Sequence, residues 1–190
     1  LQQAKSLLDP LNIVVQPAIN EDLGATAVWG SQHVPLFEGA RYDGVFGIWY
    51  GKGPGVDRSG DVLKHANMAG TTPLGGVLAV VGDDHACKSS TLPNQSELAF
   101  IDAEIPVLSP ATIGEVLEYG VKGIALSLFY GGWVALKTIS DLMDASAAVD
   151  LADTFDTREP LVDLPADGLH IRAKDTPAEK EARHRHFRLP

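Results

Sequence analysis

Four short apolar runs, separated by stretches with helical periodicity, limit this chain to few architectures. Ile13-Val14-Val15, Gly44-Val45-Phe46-Gly47-Ile48-Trp49, Val77-Leu78-Ala79-Val80-Val81 and Ile105-Pro106-Val107-Leu108 are rich in β-branched residues and lack polar alternation. A strand with one face in water alternates apolar and polar residues, whereas an unbroken apolar run suits a strand buried on both faces, as in a parallel sheet. Parallel neighbours need long crossover connections, which helices supply. The expected fold class is α/β: a mostly parallel open sheet with helices on both faces.

Helix starts lie between the runs. Asn20 can cap a helix whose first turn carries Glu21 and Asp22, carboxylates favoured at the positive end of the helix dipole. Ser109-Pro110 reads as a cap followed by proline at the first helical position, leading into Ile113, Val116 and Leu117. Residues 121–143 read as helix in two pieces broken at Gly131-Gly132. At the start of the chain, Leu1, Ala4, Lys5, Leu7 and Leu8 fall largely along one helical face. From about Asp150 the sequence turns acidic and proline-containing, with Leu161-Val162 and Leu169-His170-Ile171 as weak strand candidates, before Thr176-Pro177 opens a charged helix through Arg185. The expected organisation is one domain over residues 1–150, followed over 151–190 by an acidic linker and a charged helix leading to further domains.

Charge and cysteine usage exclude several function classes. Tracking nucleic-acid phosphates needs clustered Lys and Arg, and 15 basic against 25 acidic residues do not supply them. The single cysteine, Cys87, cannot form an internal disulfide, a four-cysteine zinc site or an iron–sulfur cluster from this chain alone, and it fits a reducing, cytoplasmic setting. No apolar run reaches the roughly 18 to 20 residues that cross a bilayer.

Four features could carry chemistry, each with a plainer alternative. Gly51-Lys52-Gly53-Pro54-Gly55 follows an apolar strand and could cradle an anion ahead of a helix beginning near Asp57; it matches neither the P-loop nor the dinucleotide fingerprint, and it equally reads as a turn. The loop Asp83-Asp84-His85-Ala86-Cys87-Lys88-Ser89-Ser90-Thr91 follows the most strand-like run, where open parallel sheets bind ligands, although its Asp and Ser side chains can also simply cap a solvated loop. Four metal-ligating side chains within five residues do not converge easily on one ion. Glu21 by itself is a favourable first-turn carboxylate. His184-Arg185-His186, with Arg183 and Arg188, places cations where a helix C-terminus attracts them.

Long blocks of the sequence resemble the fused, single-chain form of indolepyruvate ferredoxin oxidoreductase, of the 2-oxoacid ferredoxin oxidoreductase family. They run from Val15 to Gln32, including Gln16-Pro17-Ala18-Ile19-Asn20-Glu21-Asp22-Leu23-Gly24, and from Tyr42 to Asp61, including Gly51-Lys52-Gly53-Pro54-Gly55. Lys64-His65-Ala66-Asn67 and the loop from Gly82 to Pro93 continue the likeness, which covers roughly residues 13 to 150. The resemblance implies the thiamine-diphosphate-binding fold, as its pyrimidine-type domain. By the resemblance, a Gly-Tyr-Arg-Gly-Ser-Pro strand and turn would be expected ahead of residue 1, and residues 1–150 are expected to be this domain without its first strand.

By that resemblance Glu21 is catalytic: it holds ring nitrogen N1′ of the cofactor's aminopyrimidine and favours the tautomer that takes a proton from the thiazolium. Asp83, Asp84 and His85 are the further cofactor-binding candidates, and His85, Lys88, Ser89 and Ser90 the substrate candidates. The implied reaction is oxidative decarboxylation of indolepyruvate or a related aryl 2-oxoacid with coenzyme A, electrons passing to ferredoxin through iron–sulfur clusters outside this chain. Gly82-Asp83-Asp84 is not the Gly-Asp-Gly motif that holds diphosphate and Mg²⁺, so a diphosphate-binding domain outside this chain is expected to hold both, with no metal ligands here. A homo-oligomer is the expected assembly, and residues 1–190 alone are expected to be inactive. The alternative is an α/β module that binds a small anion or docks a subunit without catalysis of its own.

Overall fold

Leu78, Val134 and Leu136 are buried in one apolar cluster, while their chain neighbours Val77, Ala79, Trp133 and Ala135 are buried in another. That alternation between two covered faces is why the runs carry no polar residues. The computed structural model describes residues 2–151 and 175–188. Its four-stranded sheet comprises β1 (Phe46–Lys52), β2 (Gly76–Asp83), β3 (Val107–Leu108) and β4 (Trp133–Ile139). The strands run parallel in the order β1-β2-β4-β3. The helices are α1 (Lys5–Leu8), α2 (Glu21–Ser31), α3 (Gly53–Arg58), α4 (Gly60–Ala69), α5 (Glu97–Asp102), α6 (Ile113–Tyr130), α7 (Ser140–Met143) and α8 (Pro177–Arg188). The expected α/β class with a parallel sheet is thus observed.

Helices α2, α3 and α4 cover one face and α6 the other. Trp133 and Phe100 are fully buried on the α2–α4 side, each contributing on the order of 2–3 kcal/mol by leaving water. On the other side Gly123 lets α6 approach closely, since a Cβ there would stand 2.7 Å from Leu78 Cδ1.

Three local expectations are corrected. The stretch after Gly131-Gly132 is not a second helix: Gly131 ends α6 at φ +82°, and Trp133–Ile139 becomes β4, buried between β2 and β3. Its short apolar run fits a buried strand as well as a helix, and the slot in the sheet decides. Ile13-Val14-Val15 is not a strand; it has no pairing partner among the described residues, and Val14 is 84% exposed. The cap of α6 is Thr112 rather than Ser109, because Thr112 and Glu115 form a reciprocal capping box: Glu115 N–H donates to Thr112 Oγ1 at 3.2 Å and Thr112 N–H to Glu115 Oε2 at 3.2 Å.

Residues 2–8 form a 3₁₀ turn and the four-residue α1, with Leu7 exposed. Thr176 caps α8, and Lys180, almost fully buried, donates to Ala69 O at the end of α4 (2.8 Å). Burial, together with the nearby Lys180 ammonium, holds His33 below the ordinary imidazole value, which suits its Nε2 to accept from Trp29 Nε1 (2.9 Å). The strand candidates Leu161-Val162 and Leu169-His170-Ile171 lie outside the described residues. No helix among the described residues is long and apolar enough to cross a membrane.

Candidate functional site

All four strands point the same way, so the segments that follow them gather along one edge of the sheet, where open parallel sheets receive ligands. Helix α2 arrives at this edge beside β1. Asn20 stops its own backbone from being helical (φ −155°, ψ 175°) and its side chain accepts from Leu23 N–H at 3.0 Å, which makes Glu21 the first residue of the helix. Trp49, buried at the middle of β1, donates its indole N–H to Glu21 O at 3.0 Å and pins the helix start.

The Glu21 side chain packs on the glycine-rich segment. A Cβ on Gly55 would stand 2.6 Å from Glu21 Cγ, and one on Gly51 would stand 3.7 Å from it. The glycines here make room for a carboxylate rather than present a turn to an anion, and Gly53-Pro54-Gly55 is the opening of α3, not a turn ahead of a helix near Asp57. Among the described residues, the Glu21 carboxylate makes no hydrogen bond and no ion pair. Its neighbour differs: the Arg58 guanidinium, 2.8 Å from Asp22, holds the Asp22 carboxyl below its usual range. Glu21 lines a cleft of about 360 Å³ together with Pro17, Asn20, Ile48, Trp49 and Tyr50. A wall of mixed polarity carrying a carboxylate without a hydrogen-bond partner among the described residues is suited to a flat, partly polar ring that offers a hydrogen-bond donor.

The loop after β2 is held by its own acids. Asp83 accepts from Ser96 N–H (2.9 Å) and Ser96 Oγ (2.6 Å), and both residues are buried. Asp84 accepts from Lys88 N–H (2.8 Å) and Ser89 N–H (2.7 Å). His85 Nδ1 lies 2.8 Å from Asn94 O, placing it as donor to that carbonyl. Lys88 pairs with Asp141, which raises its ammonium above the usual value. Lys52 ties the loop to β1, donating to Ser89 O (2.7 Å) and Ser90 Oγ (3.2 Å), and Gly53 abuts Asn94 so closely that a Cβ there would stand 2.4 Å from Asn94 Cβ. The two groups of sequence-identified residues, Glu21 and the 83–90 loop, therefore flank the same segment, residues 51–55. Trp49 was not singled out from the sequence as a site residue, where nothing links an indole to a carbonyl 28 positions away.

The backbone N–H groups of Ser89 and Lys88 hold the Asp84 carboxyl below its ordinary value. What it contributes to loop stability is therefore complete above the unfolded value of about 4 and is lost as pH falls through the lower folded value. Asp84→Asn turns an amide toward two N–H donors and is expected to speed amide exchange at Lys88 and Ser89 by roughly tenfold or more at neutral pH. NMR exchange rates check this; unchanged rates at both amides would show that the loop is held by other contacts.

Among the described residues no three His, Cys, Asp or Glu side chains gather as a metal site would require. Compared with protein-family models and with curated proteins, the chain matches none.

Proposed function

We propose that this chain holds and activates the aminopyrimidine end of thiamine diphosphate in a cytoplasmic, homo-oligomeric oxidoreductase acting on indolepyruvate or a related aryl 2-oxoacid. One observation carries the reading. Glu21 stands on the first turn of a helix at the carboxyl-end edge of a parallel sheet, with no hydrogen-bond partner for its carboxylate among the described residues, in the wall of a cleft that Ile48 and Trp49 also line. A carboxyl so placed can share a proton with a ring nitrogen. Thiamine diphosphate, when bound, supplies the carbon nucleophile and electron sink for decarboxylation.

The remaining roles belong to this chain's own residues. Trp49 fixes the main chain of Glu21, while Gly51 and Gly55 leave its side chain the room it occupies. Asp83 and Asp84 shape the loop that borders the site, so their part in cofactor binding is indirect. His85, Lys88, Ser89 and Ser90 are the groups on that loop available to a substrate carboxylate; Lys88 would exchange Asp141 for it. Diphosphate and Mg²⁺ are held by a diphosphate-binding domain outside this chain, as are the iron–sulfur clusters. In the overall reaction the bond between the keto carbon and the carboxylate breaks and a thioester bond to coenzyme A forms. Carbon dioxide and one proton are released, and two electrons reduce two ferredoxins.

The test is an anaerobic assay of the whole protein with indolepyruvate and a low-potential dye. Dye reduction is expected to require coenzyme A, thiamine diphosphate and Mg²⁺ together. Absence of turnover with indolepyruvate and with other aryl 2-oxoacids, in protein shown to be folded, would remove this reading.

A further inference from the structure

Residues 49–55 make contact in two directions. Trp49 donates to the main chain of Glu21, and Gly51 and Gly55 lie under the Glu21 side chain, while Lys52 and Gly53 face the loop after β2. Lys52 ends β1 opposite Gly82, next to the start of that loop. Its side chain reaches past the start to the middle, donating to Ser89 O at 2.7 Å and to Ser90 Oγ at 3.2 Å. The loop itself is one unit. Asn94 N–H donates to Asp84 O at 3.3 Å and His85 to Asn94 O, which joins the two ends, and the middle folds back on the Asp84 carboxylate. Among the described residues, the side-chain hydrogen bonds that leave residues 84–94 for other segments are those with Lys52, on the Glu21 side, and the pair of Lys88 with Asp141 in α7.

A unit with two ties keeps its place when one is released. A substrate carboxylate that draws Lys88 from Asp141 undoes the tie to α7, and the tie to β1 then remains. From this geometry we infer that Lys52 is a positioning residue, which holds the substrate-receiving loop at a fixed setting relative to Glu21 while Lys88 is engaged by substrate. The same short segment carries both sets of contacts, so the loop and the Glu21 carboxylate are referred to one rigid support. The inference rests on the thiamine diphosphate reading and adds to it a residue that touches neither cofactor nor substrate. An ammonium donating to a main-chain carbonyl is a charge-assisted bond, stronger than its neutral counterpart. An aryl 2-oxoacid reacts only with its keto carbon about 3–3.5 Å from the attacking carbon, so a loosened loop slows the step after binding more than it weakens binding. Loss of Lys52 therefore falls on kcat, whereas loss of Asp141, which competes with substrate for Lys88, falls on KM.

The whole protein is compared as wild type, Lys52→Met, Asp141→Asn and the double variant, with amide exchange over residues 84–94 followed by mass spectrometry before substrate is added. Methionine keeps the apolar stem of lysine without the ammonium. Each single variant leaves one tie and is expected to speed exchange by less than about threefold; the double variant leaves neither and is expected to speed it by about tenfold or more. In the anaerobic indolepyruvate assay, Lys52→Met is expected to lower kcat by about tenfold with KM within about twofold, and Asp141→Asn to lower KM by about threefold. Lys52→Arg, which keeps a cationic donor, is expected to recover most of the kcat that methionine loses. A lysine serving stability alone would lower kcat only in proportion to the folded fraction, which circular dichroism measures. If exchange in the double variant matches that in the single variants, or if Lys52→Met turns over at the wild-type kcat, Lys52 does not position the loop and the inference is overturned. Absence of turnover in the wild type is a separate failure: it removes the reading of the cleft, and this role with it, whatever the exchange rates.

Discussion

Glu21→Gln is expected to lower kcat/KM for an aryl 2-oxoacid by roughly 10²- to 10⁴-fold in the whole protein, the range general acid–base groups supply, while cofactor affinity stays within a few-fold. Glutamine has the same length and presents hydrogen-bonding atoms in the same places, so the packing of Cγ against Gly55 and Gly51 is kept. The bond from Trp49 to residue 21 uses the main-chain carbonyl and is indifferent to the substitution. What glutamine cannot do is hold and return a proton. The variant therefore separates chemistry from architecture: activity falls while an unchanged circular dichroism spectrum and melting temperature report an intact fold. If turnover stays within a few-fold of the wild type, Glu21 is a first-turn carboxylate and nothing more, and the assignment of the cleft to the aminopyrimidine goes with it.

Asn67→Ala is expected to destabilise the fold by about 3–5 kcal/mol, a large share of the 5–15 kcal/mol that a domain commonly has. The Asn67 side chain is buried and joins three separate segments. Its Nδ2 donates to Ala103 O at 3.0 Å and to Glu104 O at 2.8 Å, and its Oδ1 accepts from Trp133 N–H at 2.9 Å, with the Tyr130 hydroxyl within 3.5 Å. Alanine leaves two carbonyls and one N–H short of a partner, at about 1–3 kcal/mol for each group left unsatisfied in the interior. The bond to Trp133 fixes the first residue of β4, so the loss is felt where the chain leaves α6 and enters the sheet. Urea denaturation monitored by tryptophan fluorescence measures the change; a shift below about 1 kcal/mol would mean that water or a rearranged neighbour replaces the amide.

The same residue shows where sequence reasoning stops. Asn67 sits in a helix, four positions after Leu63 and one after Ala66, and reads as an ordinary polar position; only the return of the chain at residues 103–104 and 133 makes it a hub. Asp83 and Asp84 read as ligands because two adjacent acids at a strand end are suited to binding, yet their acceptors are occupied by Ser96, Lys88 and Ser89 within the same loop. Lys52, in the middle of a glycine motif that reads as an anion cradle, instead reaches across to the 89–90 main chain.

What the amino-acid order determined by itself is whatever depends on neighbours along the chain. Examples are the cap at Asn20, the start of α8 at Thr176, the placement of Glu21 on a first turn, and the double-sided burial of Val77–Val81 that demands a parallel sheet. Each follows from local hydrogen bonding or from a periodicity of a few residues. Tertiary structure decided what depends on residues far apart in sequence. It made Trp133–Ile139 a strand by offering a place between β2 and β3, and left Ile13–Val15 irregular, with no partner strand among the described residues. It also set the Glu21 carboxylate over Gly51 and Gly55. The physical reason is one and the same: a strand, or a carboxylate in a cleft, is stabilised by groups brought alongside it by the fold, whereas a helix cap is satisfied within a single turn of chain.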